Sequence, residues 1–200
     1  MNGRRTFLRS SHTCNHFPLG QRLPHDPDLA RRDLLDVKVM GFNAIRFIWG
    51  GAERYQLDLC DEIGLMVYEE SFASSGMDAS PKMPELFDRS VGELIRRDRN
   101  HPSIVIWGLL NEAANNPAFH HATQMLPLVR SLDNLRLVFL NAGRYDGLVA
   151  SSPGPFSRTH LWSTATGGEP WIVLNPENEP IATPFGFGWP PRWTIRFIAS

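Results

Sequence analysis

Cysteine is nearly absent. Only Cys14 and Cys60 occur in 200 residues, far apart and outside any CxxC spacing. That argues against a zinc ribbon or a disulfide-stapled scaffold and leaves the compartment undecided. An excess of either charge is missing too: 20 Lys and Arg stand against 21 Asp and Glu, a formal net charge of -1. Nucleic acid requires a basic face that neutralises phosphates, so no nucleic-acid partner is expected. The one dense basic run, Arg96-Arg97-Asp98-Arg99, ends a predicted helix, where cations complement the carbonyl end of the dipole. No apolar run approaches the roughly 18 residues that a membrane span needs, and no membrane partner is expected. The positive N-terminus lacks the apolar segment of a signal peptide. No GxGxxG turn follows the first strand and no P-loop occurs, which removes the usual dinucleotide and nucleotide cradles. No cofactor and no metal are expected. His12-Thr13-Cys14-Asn15-His16 lacks further ligands at zinc spacing and is read as an ordinary loop. His120-His121 is read as a solvated surface pair.

What is present is a regular alternation. Residues 6 to 12 form a weak first strand. Asp26-Pro27-Asp28 looks like a helix start, followed by Ala30, Leu34 and Val37 at helical spacing and Gly41 as terminator. A mostly apolar strand, 43 to 49, closes at Gly50-Gly51. A short helix over 52 to 63 ends at Gly64, and Leu65-Met66-Val67-Tyr68 runs into Glu69-Glu70. A helix is predicted over 84 to 97, a strand over 103 to 110, a helix from 117 to 132 and a strand over 137 to 140. Strands apolar on both faces, separated by amphipathic helices, imply buried parallel strands with βαβ crossovers.

That pattern fits a doubly wound sheet or a barrel, and periodicity does not choose between them. Both place chemistry at the carboxyl ends of the strands. There the polar residues fall: His12, Arg46, Glu69, Glu70, Asn111, Glu112 and Asn141. Beyond about residue 150 the character changes. The last fifty residues hold eight of the 16 prolines and four of the six tryptophans but only six charged side chains. An irregular tail over 151–200 is expected, with Trp171-Ile172-Val173-Leu174 as one strand.

The most informative stretch is Arg99-Asn100-His101-Pro102-Ser103, leading through Ile104-Val105-Ile106-Trp107-Gly108-Leu109-Leu110 to Asn111-Glu112. Here the chain resembles the family 2 glycoside hydrolases, the group of β-galactosidases, β-glucuronidases and β-mannosidases. Asn2-Gly3 before Phe7-Leu8-Arg9, Met40-Gly41-Phe42-Asn43-Ala44-Ile45-Arg46 and Leu59-Cys60-Asp61-Glu62-Ile63-Gly64-Leu65 agree, so the resemblance covers roughly residues 2 to 146. It implies an α/β fold of the (β/α)8 TIM-barrel type, incomplete at about five βα units, with the catalytic-domain part at 1–150 and the tail at 151–200.

The resemblance also implies chemistry: retaining cleavage of an O-glycosyl bond in a β-linked carbohydrate. Glu112 would be the acid/base, Asn111 would hold the sugar's 2-hydroxyl, and Arg46 would lie near the nucleophile and favour its ionised form. Proton donation to the leaving oxygen suits a glutamate at a rigid strand end in a partly desolvated cleft, because burial raises its pKa. One of Glu69 and Glu70, with Glu70 matching the acid that follows strand three, would shape the sugar pocket; a structural ion pair is the alternative. Trp49 could stack on a sugar ring or pack at the barrel rim, whereas Trp107, mid-strand, belongs to the core. The Ser10-Ser11-His12-Thr13-Cys14 segment departs from the family pattern and carries no sugar contact over. The nucleophile is unassigned: the tail offers Glu169, Glu177 and Glu179, none in a strand resembling the family's seventh. A fragment of a longer catalytic domain is therefore expected, with uncovered edges open to self-association. The competing expectation is a catalytically silent remnant that at most binds carbohydrate.

Overall fold

A computed structural model describes residues 6–15, 17, 26, 28–72, 77, 80–111, 113, 116–142 and 171–174. The elements alternate: β1 (Ser10–Thr13), α1 (Leu29–Val39), β2 (Ala44–Phe47), α2 (Arg54–Ile63), β3 (Met66–Glu70), α3 (Met83–Asp98), β4 (Ile104–Gly108), α4 (Pro117–Gln124), α5 (Leu126–Leu132), β5 (Leu137–Ala142) and β6 (Trp171–Leu174). Strand order across the sheet is β1-β2-β3-β4-β5-β6. The first five strands pair in parallel, each with its successor.

This order settles what periodicity left open. A doubly wound sheet reverses its strand order at a switch point, whereas a barrel adds each strand beside the previous one. Five units in unbroken succession are the barrel arrangement, and they are fewer than the eight that close it. The expected strand at 171–174 is present, but it pairs antiparallel with β5. It is therefore not a sixth barrel strand of the same sense.

The two faces of the sheet have separate cores. Outward residues Ile45, Phe47, Val67, Trp107, Val138 and Leu140 pack under the helices with Leu34, Leu57, Phe87, Val91, Ile95, Phe119 and Val129. Tyr68, Ile106, Leu137 and Phe139 form a smaller cluster apart from that layer. Tyr68 and Phe139 stack with ring centroids 5.2 Å apart. Trp107 is buried as expected, and its indole N–H donates to Asp133 at 2.9 Å, so the polar edge of a core aromatic is satisfied.

Local chemistry explains the element ends. Gly64 closes α2 in the left-handed conformation with φ 67°, which glycine adopts without a Cβ penalty. Glu53 and Gln56 form a reciprocal capping box at its start. α1 begins later than the sequence pattern suggests: Asp28 is its N-cap, while Asp26 accepts the Asp28 N–H. The helix expected over 117 to 132 is broken at Met125 into α4 and α5. Pro127, with no N–H to donate, sits in the first turn of α5, the position where that loss is tolerated. His121 is not a solvated side chain: it lies 2.8 Å from Asp88 with 15% of its side chain exposed. Among the described residues, no helix is long and apolar enough to cross a membrane.

Gly108 marks the tightest approach in the sheet. A Cβ there would fall 2.4 Å from Tyr68 Cε2 and 3.0 Å from Glu70 Cγ. The Tyr68 ring is pinned against Phe139 and has no cheap retreat. Gly108→Ala is expected to cost about 1–3 kcal/mol by overpacking, read as a lower urea midpoint; an unchanged midpoint would show that the ring can move aside.

Candidate active site

The carboxyl ends of β2, β3 and β4 bring three predicted residues together. Arg46 lies on β2 directly opposite Tyr68 of β3. Its guanidinium reaches Glu70 Oε2 through Nε at 2.9 Å and Nη2 at 2.5 Å. The same Nη2 donates to Asn111 Oδ1 at 2.6 Å. One cation thus joins residues from three consecutive strand ends. It also lies 5.0 Å above the Tyr68 ring, a cation–π distance. Asn111 is fixed with its carbonyl toward Arg46, so its amide N–H groups are the end turned away.

Electrostatics follow from burial. Glu70 is fully buried. Desolvation pushes its carboxyl above the usual range, and Arg46 works against that shift by charge and hydrogen bond. Burial, with the neighbouring Glu70 charge, also lifts the Tyr68 phenol well above its ordinary value. The ion pair that stood as one of two expectations for Glu70 is present, with Arg46 as its partner.

Glu112, Glu169, Glu177 and Glu179 lie outside the described residues. The backbone beside Glu112 is nevertheless held. The side-chain amide of Asn141, at the end of β5, accepts from Ala113 N–H at 3.1 Å and donates to Ala113 C=O at 2.8 Å. Asn141 is buried. Sequence reasoning noted it as polar at a strand end but gave it no role. Its paired bonds to a loop 28 residues away depend on tertiary contact alone.

Glu69, offered by the sequence beside Glu70 as a pocket acid or an ion-pair member, meets Arg97, which sequence reasoning missed. Glu69 points to the opposite face from Glu70, toward the helices. Its Oε1 accepts the Ala52 N–H at 3.1 Å and lies 3.5 Å from Arg97 Nη2. Arg97 also donates to Ala52 C=O at 2.8 Å and grips Asp98 through Nε and Nη2. Arg97, expected with Arg96 and Arg99 to complement the carbonyl end of its helix, keeps a third of its side chain exposed but directs its guanidinium to Ala52 and Asp98. Trp49 is 44% exposed, at the loop that leaves β2. Its backbone N–H bonds to the Glu70 carboxylate and so ties the turn to the Arg46 cluster.

Asp58, Asp61 and His101 place ligand-type atoms within 4.8 Å of one another. They stand at the amino ends of the strands, away from Arg46. There Asp61 lies 2.7 Å from His101 Nδ1 and accepts the Ser103 N–H at 2.9 Å. Burial would raise its carboxyl, but Ser103 and His101 together hold it below the ordinary range. The Arg99-to-Ser103 turn is thereby tied to α2, a structural use of its histidine.

Sequential parallel strands, helices over the outer face and a charged cluster at the carboxyl ends define the scaffold of a β/α-barrel enzyme. The chain belongs to the glycosyl hydrolases family 2, whose TIM barrel domain matches residues 2–152. A Formosa agariphila protein carrying a provisional β-glucuronidase name is 34% identical over 151 residues, 72% of this chain and 14% of its own length. A β-galactosidase of Pectobacterium atrosepticum is 26% identical over 197 residues, 90% of this chain and 18% of its own. The crystal structure of a β-galacturonidase from Eisenbergiella tayi bound to galacturonate superposes with a TM-score of 0.63 and 30% identity, covering 68% of this chain and 25% of that one. The chain thus spans less than a fifth of the two sequence relatives and a quarter of that solved structure.

Burial beside Asp98 pushes Glu69 up to about 9, Arg97 and the Ala52 N–H opposing. Of the other groups nearby, Cys60 of α2 is itself pushed up to about 12 by burial and stays neutral. The folded state therefore keeps the Glu69 proton that the unfolded chain releases near its ordinary value of 4.5. The sign follows: the contribution to stability is fully present below that value and is lost as pH rises toward 9. Glu69→Gln should remove this slope, on the order of 1 kcal/mol per pH unit at most. Urea midpoints of wild type and variant should diverge in favour of the variant between pH 5 and 9; parallel curves would show that Glu69 is ionised throughout.

Proposed function

We propose that residues 1–150 carry the acid/base side of a retaining β-glycosidase site and that the chain acts on the O-glycosyl bond of a β-linked carbohydrate. The observation that carries this is the Arg46 bridge to Glu70 and Asn111. It fixes the amide that precedes Glu112 and leaves its N–H end to meet a sugar hydroxyl. Family membership supports Glu112 as the proton donor, and the Asn141 bonds to Ala113 support a rigid backbone beside it. In this mechanism Glu112 protonates the leaving oxygen as oxocarbenium character develops, then removes a proton from the water that completes hydrolysis. Arg46 and Glu70 shape the polar wall of the sugar pocket.

Retention requires a second carboxylate about 5–5.5 Å from the first. It is assigned to no residue here, and the small share of each relative's length that is covered supports a catalytic fragment. Uncovered barrel edges would then favour self-association, or completion by further strands. The same coverage favours a second reading, a remnant that binds β-linked sugar without turning it over.

The relatives' names choose the probes: p-nitrophenyl β-D-glucuronide, β-D-galacturonide and β-D-galactoside. Release of p-nitrophenol should be abolished by Glu112→Gln, a loss of at least about a hundredfold for a general acid/base. A rate unchanged in that variant would remove Glu112 from the mechanism. Calorimetric binding of a probe without release would establish the silent remnant instead.

A further inference from the structure

Trp49 adopts a conformation that its own packing does not repay. Its φ is 59°, in the left-handed region. That region costs a bulky L-residue roughly 1–2 kcal/mol, and the indole remains 44% exposed. Gly50 and Gly51 continue the turn with φ of 118° and 71°. The glycines adopt these angles freely, but a tryptophan held there persists only where its surroundings over-determine it, a state of affairs that clusters at functional sites.

Several restraints converge on the turn from beneath, and the Trp49 N–H itself bonds to the Glu70 carboxylate. Gly51 C=O accepts from Asn15 Nδ2 at 3.2 Å, and Asn15 is locked by two reciprocal 2.8 Å bonds to Gln56. The Gly50 α-carbon lies against the Phe72 ring, where a Cβ would come within 2.2 Å. Both polar groups of the next peptide unit are captured: Ala52 N–H by Glu69 and Ala52 C=O by Arg97. A Cβ on Gly51 would press to 2.9 Å from Glu69 Oε1. Glu69 is wholly buried beside the carboxylate of Asp98. An isosteric apolar side chain would avoid the cost of burying a polar carboxyl, so stability alone does not explain an acid there.

We infer that Glu69 is a positioning residue: through Ala52, and with Arg97, it holds the 49–51 turn in its left-handed form and so sets the Trp49 indole at the barrel mouth as a stacking platform for a sugar ring. The last step rests on the carbohydrate reading proposed above; the restraint on the turn does not. Glu69 touches neither Arg46 nor Asn111 and acts on substrate only through Trp49.

The test uses the full chain labelled with 5-fluorotryptophan, the Trp49 resonance being the one lost in Trp49→Phe. Glu69→Met fills the same volume but cannot accept the Ala52 N–H, while Glu69→Gln keeps an acceptor. In Glu69→Met the Trp49 line is expected to shift or split while the line of buried Trp107 stays in place; in Glu69→Gln it should return to the wild-type position. An unmoved Trp49 line in Glu69→Met, with Trp107 unmoved, overturns the inference. Should Glu69→Met not fold, Arg97→Met is read in the same way and decides. Titration with p-nitrophenyl β-D-glucuronide, β-D-galacturonide and β-D-galactoside tests the sugar step. Any of these that shifts the wild-type Trp49 line should bind Glu69→Met about threefold to tenfold more weakly, the worth of one aromatic contact. A turn that depends on Glu69 with a Trp49 line silent to all three probes would overturn the stacking role, whereas probe hydrolysis independent of Glu69 would overturn the positioning role and leave the glycosidase reading standing.

Discussion

The guanidinium of Arg46 organises the mouth of the sheet. Strand ends β2, β3 and β4 each deliver one polar side chain to the same place, and a barrel scaffold by itself does not align them. Glu70 is buried and would be costly to keep ionised alone. Arg46 offsets that cost with two hydrogen bonds to one carboxylate oxygen and uses the same Nη2 to fix the orientation of Asn111. Such a pair is weak as a source of stability, because both ions lose water. Its consequence is geometric: Asn111 cannot rotate its carbonyl outward without breaking a charge-assisted bond.

Two adjacent acids on one strand show how the two-residue period divides labour. Glu70 turns toward Arg46 and the candidate pocket, while Glu69 turns toward the helices. Consecutive carboxylates therefore never share a site, and each meets an arginine of its own, Arg46 on β2 and Arg97 on α3. The arrangement lets the inner face specify a polar wall while the outer face restrains the loop above it. Asn141 repeats the logic one strand further on, bonding both polar groups of Ala113. The loops at the mouth are thus held by side chains from the strands beneath them, a precision that loop backbone seldom achieves unaided.

Much of this was legible before any coordinates. The apolar strands announce themselves because they are buried on both faces, and Gly41 and Gly64 mark helix ends because left-handed backbone excludes most other residues. Arg46, Glu70 and Asn111 could be singled out as charged or polar residues at the carboxyl ends of such strands, where barrels keep their chemistry. What escaped had no local signature. Nothing in Arg96-Arg97-Asp98-Arg99 distinguishes the arginine whose guanidinium reaches Ala52. The break between α4 and α5 turns on Pro127, a residue that helical periodicity does not weigh.

By itself the sequence determined the kind of scaffold, its strands and helices, and the residue types available at the strand ends, because period and composition act over a few residues at a time. Tertiary structure decided which of those residues meet. Strand order chose a barrel over a doubly wound sheet, register set Arg46 against Tyr68, and packing of α3 under the sheet brought Arg97 to Ala52. Those are contacts between residues 22 to 45 positions apart, and only the closing of loops across the fold, not any local preference, brings them within reach.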